Sequence, residues 1–161
     1  MSEYNSKYKK SAEPFDSPYG NLTSKKFELE TNSSGVAINI SDASPSALTS
    51  GDTVILGLLP KGLELIDCLG ICEDVGVASS TLAVGFKYTD GVDDSDVPQD
   101  ADYFFAAFSL NAANRTRANN TAVKSVTLPK DAWLYVTHSA HTQNVALHAE
   151  FHVIGRLHGP A

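Results

Sequence analysis

What this chain of 161 residues lacks bounds it first. It has two cysteines, one methionine and one tryptophan. Cys68 and Cys72 sit four apart in one expected strand, a span of roughly 13 Å that a disulfide cannot bridge. A thiolate zinc site would want a second pair elsewhere, and the chain offers none. Both cysteines therefore read as buried free thiols made in a reducing compartment. No apolar run approaches the roughly 20 residues of a membrane-spanning helix. The first residues, MSEYNSKYKKSAEP, lack the apolar segment of a secretory signal. Basic residues are scarce: 12 Lys and Arg face 19 Asp and Glu, for a net charge of −7, which argues against nucleic acid as the main partner. Glycine-rich phosphate loops and the G-x-S-x-G elbow are also absent.

What is present points to a folded, β-rich chain. Hydrophobic residues make up 42% and charged residues 19%, a balance that supports one packed domain with an appendage rather than disorder. Residues 1–35 form the appendage. Tyr4, Tyr8, Phe15, Tyr19 and Phe27 are scattered there among polar residues without a period, and the lysines balance the acids. Two readings of this segment stand: a loose tail, or an arm that orders against a neighbouring subunit with those aromatics as anchors.

From residue 36 to 161 the pattern is one of strands. Val36–Ile40 alternates briefly. Gly51–Glu73 reads as strand, corner, strand: Val54, Leu56 and Leu58 alternate, Leu59-Pro60-Lys61-Gly62 turns, and a second apolar run follows from Leu63 to Ile71. Two such runs about a Pro/Gly corner predict an antiparallel pair. Thr81–Tyr88 is another strand, with Leu82, Val84, Phe86 and Tyr88 on one face. Residues Thr89–Asp100 form an acidic loop whose spacing misses the EF-hand pattern, so it reads as solvated, with calcium as the alternative. In Ala101–Leu110, Tyr103, Phe104, Ala107 and Phe108 fall at helical spacing, which predicts one short helix. Asn111–Asn120 is a polar loop carrying Arg115 and Arg117, either solvated or in contact with an acidic neighbour. Val123–Leu128 and Ala132–Thr137 are expected to pair across a Leu128-Pro129-Lys130 corner that echoes Leu59-Pro60-Lys61. Asn144–Leu157 alternates most regularly, with Val145, Leu147, Ala149, Phe151 and Val153 on one face and Ala146, His148, Glu150, His152 and Ile154 on the other.

Two constellations invite a chemical reading. His148, Glu150 and His152 offer three ligands on one strand face, but metal sites on β-scaffolds draw on more than one strand, so an exposed or subunit-facing histidine row is the expectation. His138 and His141 flank Ser139 without an acid assigned to orient either imidazole. No catalytic residue, cofactor or metal is expected, and the chain does not read as an enzyme.

About eight short strands separated by turn signals fit an all-β, antiparallel β-sandwich of jelly-roll type, with an extended N-terminal arm and one short helix. The polar arm, Leu48-Thr-Ser-Gly-Asp52, Leu58-Leu-Pro-Lys-Gly62, Leu63-Glu-Leu-Ile-Asp67 and Thr81-Leu-Ala-Val-Gly-Phe86 together resemble the jelly-roll capsid decoration, or cement, proteins of tailed bacteriophages. The resemblance covers Leu48–Phe86 well and Val123–Ile154 loosely. It implies a structural protein made in the host cytoplasm that binds the outside of the assembled capsid and braces it against internal DNA pressure. The implied partners are the major capsid protein and further copies of the chain, as a homodimer or homotrimer, without nucleic acid or membrane. Capsid or subunit contacts would fall to Tyr4, Tyr8, Phe15, Tyr19, Phe27, Arg115 and Arg117. The alternatives are another virion component, such as a head-completion or tail-fibre protein, and a glycan- or receptor-binding jelly roll.

Overall fold

The computed structural model describes residues 1–6, 15, 18–38, 40–41, 46–74, 76–120 and 124–159. Ten strands order themselves as β1 (Glu3–Asn5), β2 (Leu22–Thr31), β3 (Thr53–Leu59), β4 (Leu63–Asp74), β5 (Thr81–Tyr88), β6 (Asp100–Ser109), β7 (Asn114–Arg117), β8 (Val126–Thr127), β9 (Ala132–Ser139) and β10 (Leu147–Leu157). There is no helix among the described residues.

The strands form two sheets. One runs β1-β3-β9-β5-β6, and the other runs β2-β10-β4-β7 with β8 paired on β4. Without the short β1 and β8, eight strands numbered in chain order fall as 2-7-4-5 and 1-8-3-6. These are the two interlocked Greek keys of a jelly roll. All pairings are antiparallel except β1 with β3.

Alternation along the strands builds the core. Leu147, Ala149, Phe151 and Val153 of β10 point inward, as do Leu82, Val84, Phe86 and Tyr88 of β5 and Leu134 and Val136 of β9. Phe151 of one sheet packs against Phe105 and Phe108 of the other, with ring centroids 6.2 and 5.3 Å apart. Cys68 and Cys72 are buried and outside any disulfide.

Several expectations are corrected. The segment Ala101–Leu110 is strand, not helix. Irregular pairing, with Leu82 opposite Phe108 but Val84 opposite Phe105, turns both Phe104 and Phe105 inward along with Phe108. A strand with such a bulge imitates helical spacing. The runs on either side of Leu59-Pro60-Lys61-Gly62 do not pair, because β3 lies in one sheet and β4 in the other. The Leu128-Pro129-Lys130 corner likewise passes from β8 to β9 across the sandwich. In the expected strand Val36–Ile40, the described residues Val36, Ala37 and Ile40 make isolated bridges. The polar stretch around Arg115 is not all loop, since β7 pairs with β4.

The N-terminal segment also differs from an arm hanging off the body. Strand β2 pairs with β10 from Leu22 opposite Arg156 to Thr31 opposite Leu147, which makes it the outer strand of the second sheet. The segment thus supplies a jelly-roll strand, because Phe27, Leu29 and Thr31 alternate into the core.

Candidate functional site

The outer face of the β2-β10-β4-β7 sheet collects the residues most suited to recognition. On β10, the alternation that buries Phe151 turns His148, Glu150, His152 and Ile154 outward. On β2 it turns out Lys26, Glu28 and Glu30. On β4, pairing jumps from Asp67 opposite Ile154 to Leu65 opposite Gly155, and Ile66 is left 41% exposed at this bulge. Beyond the bulge, Cys68 and Cys72 face inward while Leu69, Ile71 and Glu73 face outward.

Register sets these side chains in rows. Lys26, His152, Leu69 and Arg117 lie across one row, and Glu28, Glu150, Ile71 and Arg115 across the next. The face therefore grades from a carboxylate and histidine cluster on β2 and β10, through an apolar middle, to two arginines on the β7 edge. Leu69, Ile154, Arg115 and Arg117 line a shallow depression of about 410 Å³. Arg117 donates from Nε and Nη2 to one carboxylate oxygen of Asp67, with the Nε bond at 2.7 Å. Arg115 is exposed and makes no ion pair among the described residues.

At the carboxylate end, Lys26 Nζ lies 2.5 Å from Glu28 Oε1 and 3.3 Å from Glu150 Oε1. The hydrogen bond to Glu28 is the main reason the lysine is held above its ordinary pKa. His148 Nδ1 lies 3.0 Å from Glu73 Oε2, and His152 Nε2 lies 3.1 Å from Glu150 Oε2. Burial works to raise the Glu150 carboxyl, but its bonds to His152 and Lys26 outweigh it and depress the pKa.

The residues expected to make contacts separate into two groups. Tyr19 is 64% exposed, beside the equally exposed Leu22 at the start of β2. Arg115 and Arg117 are exposed on β7. In contrast, Tyr4, Phe15 and Phe27 are buried in the chain's own core. Tyr4 shares a hydrogen bond of 2.8 Å with Ser46. The Phe15 ring lies 6.5 Å from that of Phe27, with Lys25 Nζ over both. These three anchor the segment to its own sandwich, which corrects their reading as anchors on a neighbour. Tyr8 lies outside the described residues.

Other constellations do not assemble a reactive site. Ser139 Oγ bonds Thr81 Oγ1 at 2.6 Å, and the alternation of β9 turns His138 to the opposite, buried side. Burial holds the His138 imidazole below its ordinary pKa. His141 is exposed. In the acidic loop, Asp90, Asp93 and Asp94 accept from the backbone N–H groups of Val92, Gln99 and Val97 within the loop itself, and Lys130 pairs with Asp90 at 3.0 Å. These carboxylates serve the loop's own backbone.

Sequence reasoning missed two features of the outer face. Glu28 and Glu73 approach His148 from neighbouring strands, a convergence that periodicity within β10 does not contain. Leu69 and Ile71 carried a usable signal, because β4 is apolar on both faces past Asp67. A strand that reads as a near-continuous apolar run is one whose two faces are both covered.

No protein-family model matches the chain, and no curated protein matches it. Solved structures do. The chain is similar over 99% of its length to the whole of a chain in the capsid of Ralstonia phage GP4, with a TM-score of 0.67 at 17% identity. It shares its fold with a chain of the cyanophage Pam1 capsid asymmetric unit, with a TM-score of 0.57, 13% identity and 91% of each chain covered. A third similarity is to the acid-stable capsid of Helicobacter pylori bacteriophage KHP30, with a TM-score of 0.50 at 15% identity, covering 86% of this chain and 94% of that one. The fold is that of chains found in phage capsids.

Proposed function

We propose that this chain is a bacteriophage virion structural protein that binds the outer surface of the assembled capsid and stabilises it as a decoration, or cement, protein. The observation that carries the reading is the end-to-end match to a capsid chain, 99% of one against 100% of the other. The two-sided apolar character of β4 and the exposed arginine edge supply a surface suited to the role. Aromatic and arginine side chains anchor interfaces, and small contacts repeated around a symmetry axis gain strength through avidity. The proposed partners are the major capsid protein and further copies of the chain. The proposed contacts are Tyr19, Arg115 and Arg117, together with Tyr8. Tyr4, Phe15 and Phe27 serve by holding the N-terminal segment on the body.

The test is co-sedimentation of the purified chain with capsids lacking it, with copies per particle counted. Hundreds of copies are expected for a decoration protein, whereas about a dozen would assign the chain to a portal or tail ring instead. Arg115→Glu combined with Arg117→Glu is expected to weaken association at least tenfold, and unchanged binding would remove the β7 edge from the interface.

A further inference from the structure

We propose that Glu28, His148 and Glu150, with Glu30 beside them, bind one first-row divalent transition ion, zinc being the best fit, on the outer face of the β2-β10-β4-β7 sheet. The argument starts at His148. Its Nδ1 lies 3.0 Å from Glu73 Oε2, so Nδ1–H donates to that carboxylate, and in the neutral imidazole this leaves the lone pair on Nε2. A histidine fixed through its other nitrogen by a carboxylate is how metal-ligating imidazoles are oriented.

The Nε2 atom is buried and has no hydrogen-bond partner. It faces Glu28 Oε1 at 3.6 Å, Glu30 Oε1 at 3.7 Å and Glu150 Oε1 at 3.8 Å. These separations are too long for good hydrogen bonds. They sit close to the edge of about 3.3–3.6 Å expected between ligands around a tetrahedral ion with bonds of about 2.0–2.2 Å. Ligand atoms of Glu28, His148 and Glu150 all lie within 4.8 Å of one another. One imidazole with carboxylates suits zinc, whereas magnesium and calcium favour oxygen alone.

The backbone holds the site ready. Glu150 pairs with Glu28 and His148 with Glu30 in one antiparallel register, so an ion here would clamp β2 to β10. His152 Nε2, at 3.1 Å from Glu150 Oε2, steadies the oxygen that does not face His148. Four carboxylates crowd this corner, and Lys26 reaches the same Oε1 atoms of Glu28 and Glu150. Its side chain is 46% exposed and free to swing into solvent when an ion arrives.

Calorimetric titration of the full chain with zinc chloride near neutral pH tests the proposal, with circular dichroism checking that each variant is folded. One ion per chain is expected. Glu73→Gln should weaken binding by about 10- to 100-fold, the usual cost of removing such a supporting carboxylate. Lys26→Met should strengthen binding by removing the competing cation, and His148→Ala and Glu28→Gln should each abolish it. Absence of zinc binding by the wild-type chain, or unchanged binding in Glu28→Gln, would overturn the site. Tighter binding of calcium or magnesium than of zinc would overturn the assignment to a transition ion.

Discussion

The backbone N–H of Gly62 donates to the carbonyl of Leu128 at 2.9 Å, joining the two Leu-Pro-Lys corners of the chain. The Leu128 N–H in turn donates to Leu63, and the His158 N–H donates to Gly62, each at 2.9 Å. One end of the sandwich is thus closed by corners that both carry the chain from one sheet to the other. Gly62 sits at φ +80°, and an added Cβ there would lie 3.1 Å from the His158 carbonyl oxygen. Gly62→Ala is therefore expected to cost about 1–2 kcal/mol, the penalty of a left-handed conformation for a residue with a Cβ. Denaturant midpoints at unchanged slope measure it.

Truncation of the N-terminal segment should unfold the protein rather than release an arm. Phe27 and Leu29 lie in the core, and β2 covers the β10 edge from Leu22 to Thr31. Phe27→Ala alone is expected to cost about 3–5 kcal/mol. Removing residues 1–30 should abolish the cooperative thermal transition followed by circular dichroism. A truncated chain that still melts sharply near the wild-type temperature would show that the sandwich closes without β2.

Asp52 makes stability depend on acid pH. It is buried, accepts from Thr49 N and Oγ1 at 2.9 Å each, and also accepts from the Ser2 N–H. Burial works to raise its pKa, but those hydrogen bonds outweigh burial and hold the carboxyl below its ordinary value. A pKa lower in the folded than in the unfolded chain contributes stability that is present above about pH 4 and lost as pH falls through the folded value. Melting temperature should drop across that acid window. Asp52→Ala should flatten the drop and cost about 1–3 kcal/mol at neutral pH.

Cys68 and Cys72 should be inert in the folded protein. Burial, with the Asp67 charge adding to it, pushes the Cys68 thiol far above its ordinary pKa, and Cys72 is only 2% exposed. Because the thiolate is the reactive form, a thiol-reactive dye should label neither residue in native buffer and both in denaturant. Rapid native labelling would mean that β4 opens far more readily than its packing implies.

Strand positions and faces were legible in the sequence wherever alternation was unbroken. Thr81–Tyr88 is a strand with the expected residues inward, Ala132–Thr137 is a strand, and the last run is one from Leu147 onward, whereas Val145, expected inward, lies ahead of β10 and is 40% exposed; a period of two leaves only one way to bury an apolar face. The jelly-roll sandwich was legible from the same strands and turns taken together. Where a bulge breaks the period, as at Phe104-Phe105, the pattern imitated a helix, since one extra residue shifts every later side chain to the other face.

Which strands pair was decided only in three dimensions. The corner Leu59-Pro60-Lys61-Gly62 fixes a turn, but a turn does not choose between returning along the same sheet and crossing to the other. That choice rests on burying Leu63, Leu65 and Cys68 against the opposite wall, a packing requirement with no local trace. For the same reason the fate of Phe15 and Phe27 was open to two readings. Their sequence surroundings are mostly polar, and only the pairing of β2 with β10 and the packing of Phe15 against Phe27 show that they belong to the core. The convergence of Glu28 and Glu73 on His148 is tertiary in the same sense: each strand supplies its own alternation, and register alone brings the three together.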